Sequence, residues 1–409
     1  MSVSKSCRSQ SAPKNFDPAV FVAPHIAALP KSGIRDFFEI VSTMENVISL
    51  GIGEPDFVTP WNIREATIYG LTKGMTHYTS NLGDLRLRKA ICSYFAERFG
   101  GEYDPHHECI VTVGVSEGLD IALRAIVSPG DEVLYHEPCY VSYAPSIRMA
   151  HGVPVPVVTR EEHDFVVQIE DLEAAVTPRT KALILNYPNN PTGAGMTAED
   201  KRRVAEFALR HNLIVLSDEI YDELSYVPRS PSIATLPGMK ERTVVFNGFS
   251  KAFAMTGYRI AYAVGPFALI DAMMKVHQYA MLCAPTLSQY GALEALTNGD
   301  RCREQMRVEY EQRRNVIVSR FNRMGLHCFM PRGAFYVFPC IRSSGLSSHD
   351  FAYQLLNEQH VAVIPGVAFG QSGEGFVRCS YATALSEIET AMDRIEAFLK
   401  NHSASGKRR

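Results

Sequence analysis

From Glu108 to Val264 the chain repeats one pattern: a short, almost wholly apolar run, then a stretch with helical spacing. The runs are Glu108–Val113, Asp131–His136, Thr180–Asn186, Asn212–Asp218, Arg242–Phe246 and Ile260–Val264. Strands buried on both faces and separated by helices predict a mostly parallel sheet flanked by helices, joined by right-handed crossovers. Val153-Pro-Val-Pro-Val-Val158 carries too many prolines for a central strand and is expected at an edge. Sheets of this kind bind ligands at the carboxyl ends of their strands. Gly114 to Gly118, Tyr140, Asn190, Asp218, Tyr221 and Lys251 all fall just after apolar runs. So many polar residues at one edge define a candidate site.

The last of these residues carries the most chemistry. In Asn247-Gly-Phe-Ser-Lys-Ala-Phe-Ala-Met-Thr-Gly-Tyr-Arg259, an apolar strand stands on either side and no other charge lies between Lys251 and Arg259. A lone loop lysine is most often a solvated tip. An amine in apolar surroundings instead has a depressed pKa and can attack a carbonyl. The loop suggests an aldehyde on Lys251 and an anion held by Ser250 and Arg259. Pyridoxal phosphate has both groups.

Two glycine patterns invite other readings. Gly51-Ile-Gly-Glu-Pro55 lacks the third glycine of a dinucleotide loop, and Pro55 and Pro60 block an immediate helix. Backbone approaching a ligand closely explains its glycines better. Gly114-Val-Ser-Glu-Gly118 follows a strand and opens a helix. It fits the nucleophile elbow of a serine hydrolase. It equally fits a helix N-terminus offering N–H groups to a phosphate, and the five residues alone do not decide. The hydrolase also needs an upstream oxyanion loop, which is missing, and leaves the Lys251 loop unexplained.

The chain has 409 residues, enough for two domains. Its charged share of 21% and net charge of -3 are ordinary and point to neither nucleic acid nor a membrane surface. No apolar run approaches the roughly 18 residues that span a bilayer. Nine scattered cysteines without a Cys-x-x-Cys pair argue for a reducing compartment, and the cytoplasm is expected. Residues 1–16 and 401–409 are expected to be disordered tails. A helix is expected over Asp84–Phe99, and another after the Thr197 cap. After Gly299 the pattern changes to a long charged helix (Arg301–Met324), the run Gly333-Ala-Phe-Tyr-Val-Phe338, a helix over Ser348–Gln359, a strand His360–Ile364, the run Gly375–Ser380 and a last helix to about Leu399. This predicts a smaller α+β domain. The expected division is 50–299 for the large domain, with 17–49 and 300–400 forming the small one.

These stretches together resemble the pyridoxal-phosphate-dependent aminotransferases of fold type I, especially the branch of bacterial and archaeal aspartate and aromatic aminotransferases. The resemblance runs from about Ile34 to Leu399. It rests on Gly51-Ile-Gly-Glu-Pro-Asp56, Tyr78-Thr-Ser-Asn-Leu-Gly83, Asn186-Tyr-Pro-Asn-Asn-Pro-Thr-Gly193, Ser217-Asp-Glu-Ile-Tyr221, Phe249-Ser-Lys-Ala-Phe-Ala-Met-Thr-Gly-Tyr-Arg259 and Phe376-Val-Arg-Cys-Ser380. Single motifs are weak, but their joint order and spacing are specific. The resemblance implies that Lys251 holds the cofactor as a Schiff base and then moves a proton. It implies that Asp218 pairs with the pyridine nitrogen and that Tyr221 and Asn190 reach the ring's phenolic oxygen. Tyr140 would stack on the ring. Ser250, Arg259 and the backbone of Val115 and Ser116 would hold the phosphate, with Tyr78 arriving from a second subunit. Gly53, Asn190 and Arg378 would meet the substrate. A homodimer with shared active sites is implied.

The implied reaction passes an amino group from an aromatic, aspartate or broad-range donor to a 2-oxo acid such as 2-oxoglutarate. Some aspartate-preferring members carry Lys at the place of Ser116, so strict aspartate preference is not expected. A carbon–sulfur lyase or decarboxylase of the same fold, and a non-enzymatic cofactor sensor, are the alternatives. The sensor would need a DNA-binding domain, and the roughly 30 residues before the homologous region are too few for one.

Overall fold

The computed structural model describes residues 17–30, 41 and 44–406. Residues 17–30 belong to a compact unit of their own. It holds a 3-10 turn, Pro18–Phe21, capped by the Asp17 carboxylate, and one helical turn, Pro24–Ala27. The tail at 1–16 and residues 31–40, 42–43 and 407–409 lie outside the described residues.

The second unit is built on a seven-stranded sheet. Its strands are β2 (Cys109–Thr112), β3 (Glu132–Glu137), β4 (Val153–Val158), β5 (Thr180–Asn186), β6 (Ile214–Asp218), β7 (Thr243–Gly248) and β8 (Ala261–Val264), in the order β2-β8-β7-β6-β5-β3-β4. The proline-bearing β4 is an edge, as expected. Five strands run parallel from β4 to β7, and β8 runs antiparallel to both β2 and β7. The cause is the Lys251 loop itself. Short helical turns replace a crossover helix between β7 and β8, so the chain returns alongside β7 in the opposite sense.

Period-two burial sorts the side chains to the two faces. On β5, Ala182 and Ile184 pack with the helices Gly114–Ile126 and Phe267–Ala280, while Leu183 and Leu185 face the core on the other side. The helix Ala198–Arg210 starts at a capping box, in which Thr197 and Asp200 each satisfy the other's backbone N–H. Asp84 caps Leu85–Phe99, and that helix buries Arg88 as well as its apolar face.

Three short strands, β9 (Tyr336–Val337), β11 (Ile364–Pro365) and β12 (Val377–Ser380), form an antiparallel sheet ordered β11-β12-β9. Separately, β1 (Ile48–Ser49) pairs in parallel with β10 (Val361–Ala362). The run His360–Ile364, expected as one strand, is thus divided between two sheets. His360 takes a left-handed conformation at the end of the helix Ser348–Gln359, which leaves only a short extended stretch before the chain turns. The last helix runs from Leu385 to Gly406, beyond its expected end at Leu399 and into the stretch expected to be disordered. One turn of that extension is tied down by the His402 ring, which lies 4.2 Å from Phe398 and 3.0 Å from the Gln354 side-chain oxygen. The long charged helix spans Asp300–Arg323.

Candidate active site

The carboxyl ends of β5, β6 and β7 bring Asn186, Asp218 and the Lys251 turn together. Lys251 is the third residue of the helical turn Phe249–Ala252, which follows directly from β7. Its Nζ donates to the Gly53 carbonyl at 2.6 Å and sits 5.9 Å and 5.7 Å from the ring centres of Tyr221 and Phe335. Burial opposes its charge and brings its pKa down to about 8.

Asp218 ends β6 and is buried. Tyr143 donates its hydroxyl proton to Oδ2 at 2.8 Å, and the Ile220 amide donates to Oδ1 at 3.2 Å. Burial outweighs both bonds and pushes the carboxyl up to about 6. Among the described residues it makes no ion pair. Asn186 joins the strand ends, its Nδ2 donating to the Asp218 carbonyl and its Oδ1 accepting from the Asn190 amide. His136 lies beneath, stacked 4.6 Å from Tyr187 and accepting the Asn186 amide proton at Nε2. Burial brings its pKa down to about 3, so it is a neutral acceptor.

At one end of the site the helix Gly114–Ile126 starts straight after β2. Gly114 has φ 79, and a Cβ there would lie 2.5 Å from an Arg259 guanidinium nitrogen. The guanidinium therefore rests against the first helical turn, whose leading amides have no partner within the helix. Ser250 is buried, and Arg259 reaches its place from a left-handed conformation at φ 51. Cation, free amides and helix dipole make an anion cradle.

At the other end Arg378 stands buried on β12. It donates to the Asn190 side-chain oxygen at 3.0 Å and the Gly51 carbonyl at 2.5 Å. Its guanidinium lies 4.6 Å from the Tyr336 ring centre and 4.8 Å from that of Phe369. Among the described residues its Nε is buried without a partner. Burial lowers its pKa, but an arginine remains charged. The Tyr221 and Tyr336 hydroxyls share a 2.8 Å hydrogen bond. Tyr140 is half-buried, edge-on to Tyr143 at 5.7 Å.

Lys251, Asp218, Tyr221, Asn190, Gly53 and Arg378 thus converge, with Ser250, Arg259 and Val115 at the cradle. Tyr78, 80% exposed, and the exposed Ser116 are not part of the buried cluster. Ser116 sits inside a regular helix, and the left-handed strain falls on Gly114 instead. A nucleophile elbow needs that strain at the serine itself, so the hydrolase reading ends here. Sequence reasoning gave no part to Tyr143, Phe335, Tyr336 or Phe369. Only Tyr143 left a signal, three residues after Tyr140.

A buried carboxylate without a cation, an amine of lowered pKa, an anion cradle and a guanidinium with a free N–H fit an aldehyde-bearing pyridinium phosphate and a carboxylate substrate. The comparisons agree. The family "Aminotransferase class I and II" matches residues 45–395. A Bacillus subtilis protein described as putative aminotransferase YugH is 52% identical over 93% of this chain and 98% of its own. The aspartate aminotransferase of Pyrococcus abyssi is 46% identical over 90% of this chain and 96% of its own. The crystal structure of an aromatic aminotransferase from Pyrococcus horikoshii superposes with a TM-score of 0.86 at 46% identity, covering 91% of this chain and 100% of that one. This chain belongs to the class I and II aminotransferases. It is a pyridoxal-phosphate-dependent enzyme of fold type I that transfers amino groups.

Proposed function

We propose that the enzyme moves amino groups from aromatic or broad-range amino acids, aspartate included, to 2-oxoglutarate, with Lys251 as the covalent anchor and proton carrier. One observation carries this reading. Lys251 and Asp218 are both held away from their charged forms by burial, within a site that has a guanidinium at each end.

When bound, pyridoxal phosphate supplies an aldehyde for amine exchange and an electron-poor ring that draws charge from the substrate Cα. Lys251 would hold the aldehyde, and its Nζ as a free amine would serve as the base at Cα, a task its lowered pKa suits near neutral pH. Asp218 would pair with the ring nitrogen. A buried carboxylate short of a cation gains most from one, so it keeps that nitrogen protonated. Tyr143 holds Asp218 in place. Tyr221 and Asn190 donate to the phenolic oxygen. Asn190 is oriented for this because its Oδ1 already accepts from Arg378, leaving Nδ2 to donate. Tyr140 would cover a ring face. Ser250, Arg259 and the amides of Val115 and Ser116 hold the phosphate.

Arg378 takes the substrate α-carboxylate in a fork geometry, and Gly53 lines the substrate side. Near Arg378 the walls are Tyr336 and Phe369, and Phe335 lies beside Lys251. They favour an apolar ring, while relatives are named for aspartate as well as aromatic substrates.

The homodimer is also proposed. The helix Trp61–Thr72 exposes Trp61, Ile68, Tyr69 and Leu71, and Tyr78 and Tyr279 are more exposed still. Such an apolar surface suits a second copy, which would bring Tyr78 to the phosphate. Eight described cysteines are all free, which supports a cytoplasmic enzyme, and no described helix is long and apolar enough to cross a membrane. The division into a large domain at 50–299 and a small domain formed by 17–49 and 300–400 is proposed on the separate sheets each carries, with β1 near residue 48 pairing with β10.

Borohydride reduction of the holoenzyme, followed by peptide mapping, tests the anchor: label on any lysine but Lys251 overturns it. A panel of amino donors with and without 2-oxoglutarate tests the reaction. Consumption of donor without acceptor would mean lyase or decarboxylase chemistry.

A further inference from the structure

Tyr336 stands above only as a wall of the site, yet three of its neighbours have roles in binding. Its ring lies 4.6 Å from the Arg378 guanidinium, and its hydroxyl is 2.8 Å from that of Tyr221. A Cβ on Gly53 would come 2.5 Å from the same hydroxyl, so that glycine leaves room for it. The backbone fixes the ring firmly. Tyr336 pairs with Ser380 on β12, the strand that carries Arg378 two residues earlier. The side chain is 1% exposed.

We propose that Tyr336 is a positioning residue with two separable tasks: its ring sets the plane of Arg378 for the substrate carboxylate, and its hydroxyl sets Tyr221 for the cofactor. The proposal rests on the roles given above to Arg378 and Tyr221. A guanidinium is flat, and an aromatic face holds it both by charge and by stacking. Phe369 supplies a second aromatic contact at 4.8 Å. Arg378 is thereby held in a plane while its Nε has no partner among the described residues. The hydroxyl works differently. Two phenols within one hydrogen bond must divide donor and acceptor roles. If Tyr221 gives its proton to the phenolic oxygen of the cofactor, Tyr336 must donate to Tyr221. Burial raises the pKa of both phenols, so each keeps its proton and the donor in the pair is set by what Tyr221 meets on the cofactor side. A donor onto the Tyr221 oxygen makes the Tyr221 proton a stronger donor in turn. One side chain from the three-stranded sheet therefore touches both the carboxylate clamp and, just past the end of β6, a residue on the cofactor side.

The test compares Tyr336→Phe and Tyr336→Leu as holoenzymes. Two readouts are used besides turnover. One is the dissociation constant of 3-phenylpropionate, an unreactive carboxylate. The other is the pH midpoint of the visible band of the bound cofactor. Tyr336→Phe keeps the ring, so 3-phenylpropionate should bind within about twofold of wild type. It loses the donor to Tyr221, which then stabilises the deprotonated chromophore less, and the midpoint should rise by about half a pH unit or more. Tyr336→Leu should move the midpoint similarly and also weaken 3-phenylpropionate by about tenfold. Two results overturn the proposal: an unmoved midpoint in Tyr336→Phe, or equal carboxylate weakening in both variants. If the Leu variant does not fold, the Phe variant decides alone: a raised midpoint with unchanged carboxylate affinity supports the proposal, and any other pairing overturns it. Lack of a visible band in wild type would sink the Lys251 assignment instead, so the two failures are distinguishable.

Discussion

The floor of the site and its Arg378 wall solve the burial of charge in opposite ways. On the floor, Lys251 and Asp218 stand at the ends of β7 and β6, and burial drives both toward neutrality. Their hydrogen bonds, to Gly53 and from Tyr143, do not offset that drive. At the wall, Arg378 cannot discharge. It is held by a carbonyl, an amide oxygen and two aromatic faces, all of which suit a permanent cation. The floor is tuned for groups whose protons must move, and the wall for a charge that must stay. Breaking either side should therefore give a different kinetic signature.

The largest effect should come from the floor. Lys251→Ala removes both the covalent anchor and the base, so turnover should fall by more than about ten-thousandfold and the visible absorbance of the bound cofactor should vanish. A variant keeping more than about 1% of wild-type turnover would mean that another group moves the proton.

Asp218→Asn should leave the cofactor bound but lower kcat by about 10²- to 10³-fold, the scale of a preorganised electrostatic contact. A loss within about threefold would reduce the carboxylate to a structural cap. The same variant has a signature in the cofactor-free protein. The folded carboxyl holds its proton up to about pH 6, above its ordinary value of 3.8. Folded protein then binds more protons than unfolded protein between those values, so stability falls as pH rises through that window and levels off above it. Denaturant unfolding at pH 4 and pH 7 should show the fall in wild type and a smaller one in Asp218→Asn.

Arg378→Lys tests the wall. A point charge replaces a planar fork, so KM for amino acid should rise by about 10- to 100-fold while cofactor affinity stays near wild type. Equal loss of cofactor and substrate affinity would show that wall and floor are not separate.

The floor was readable in the sequence and the wall only half so, for a physical reason. Lys251, Asp218 and Asn190 follow apolar runs, and a parallel sheet sends all its strand ends to one edge. The position of a polar residue after a strand thus carries its location. Arg378 was visible as a charge inside an apolar strand. Its neighbours were not: Tyr336 and Phe369 come from separate segments that meet only through the pairing of β9 and β12 and the turn after β11. An aromatic in an apolar run has the same pattern whether it fills a core or faces a guanidinium. The antiparallel turn of β8 was equally hidden, since it depends on the short path of the Lys251 loop rather than on the strand's composition. The end of the last helix depended on His402 reaching Gln354 in another helix.

The smallest expected effect concerns substrate choice, where floor and wall meet the side chain of the amino acid. Ser116 occupies the place where some related enzymes carry Lys, and here it is exposed in the first turn of its helix. Among the described residues the cations of the site are Lys251, Arg259 and Arg378, each already engaged in the roles proposed above. An aromatic side chain needs only the apolar walls, and burying a ring is favourable by about 2 to 3 kcal/mol. Phenylalanine or tyrosine should therefore react with 2-oxoglutarate with kcat/KM no worse than aspartate. Ser116→Lys adds an ammonium at an exposed position, where a charge pair contributes about 1 kcal/mol or less. It should shift the ratio toward aspartate by no more than about fivefold, through KM rather than kcat. Initial rates of both proteins with both donors measure it. A wild-type preference for aspartate above about a hundredfold, near 2.7 kcal/mol of transition-state discrimination, would require a further cation in the pocket. Arg35, which lies outside the described residues, would be the first to mutate. A fall in phenylalanine rate in an Arg35→Ala variant would then place that residue against the α-carboxylate. A fall confined to aspartate would place it against the side chain.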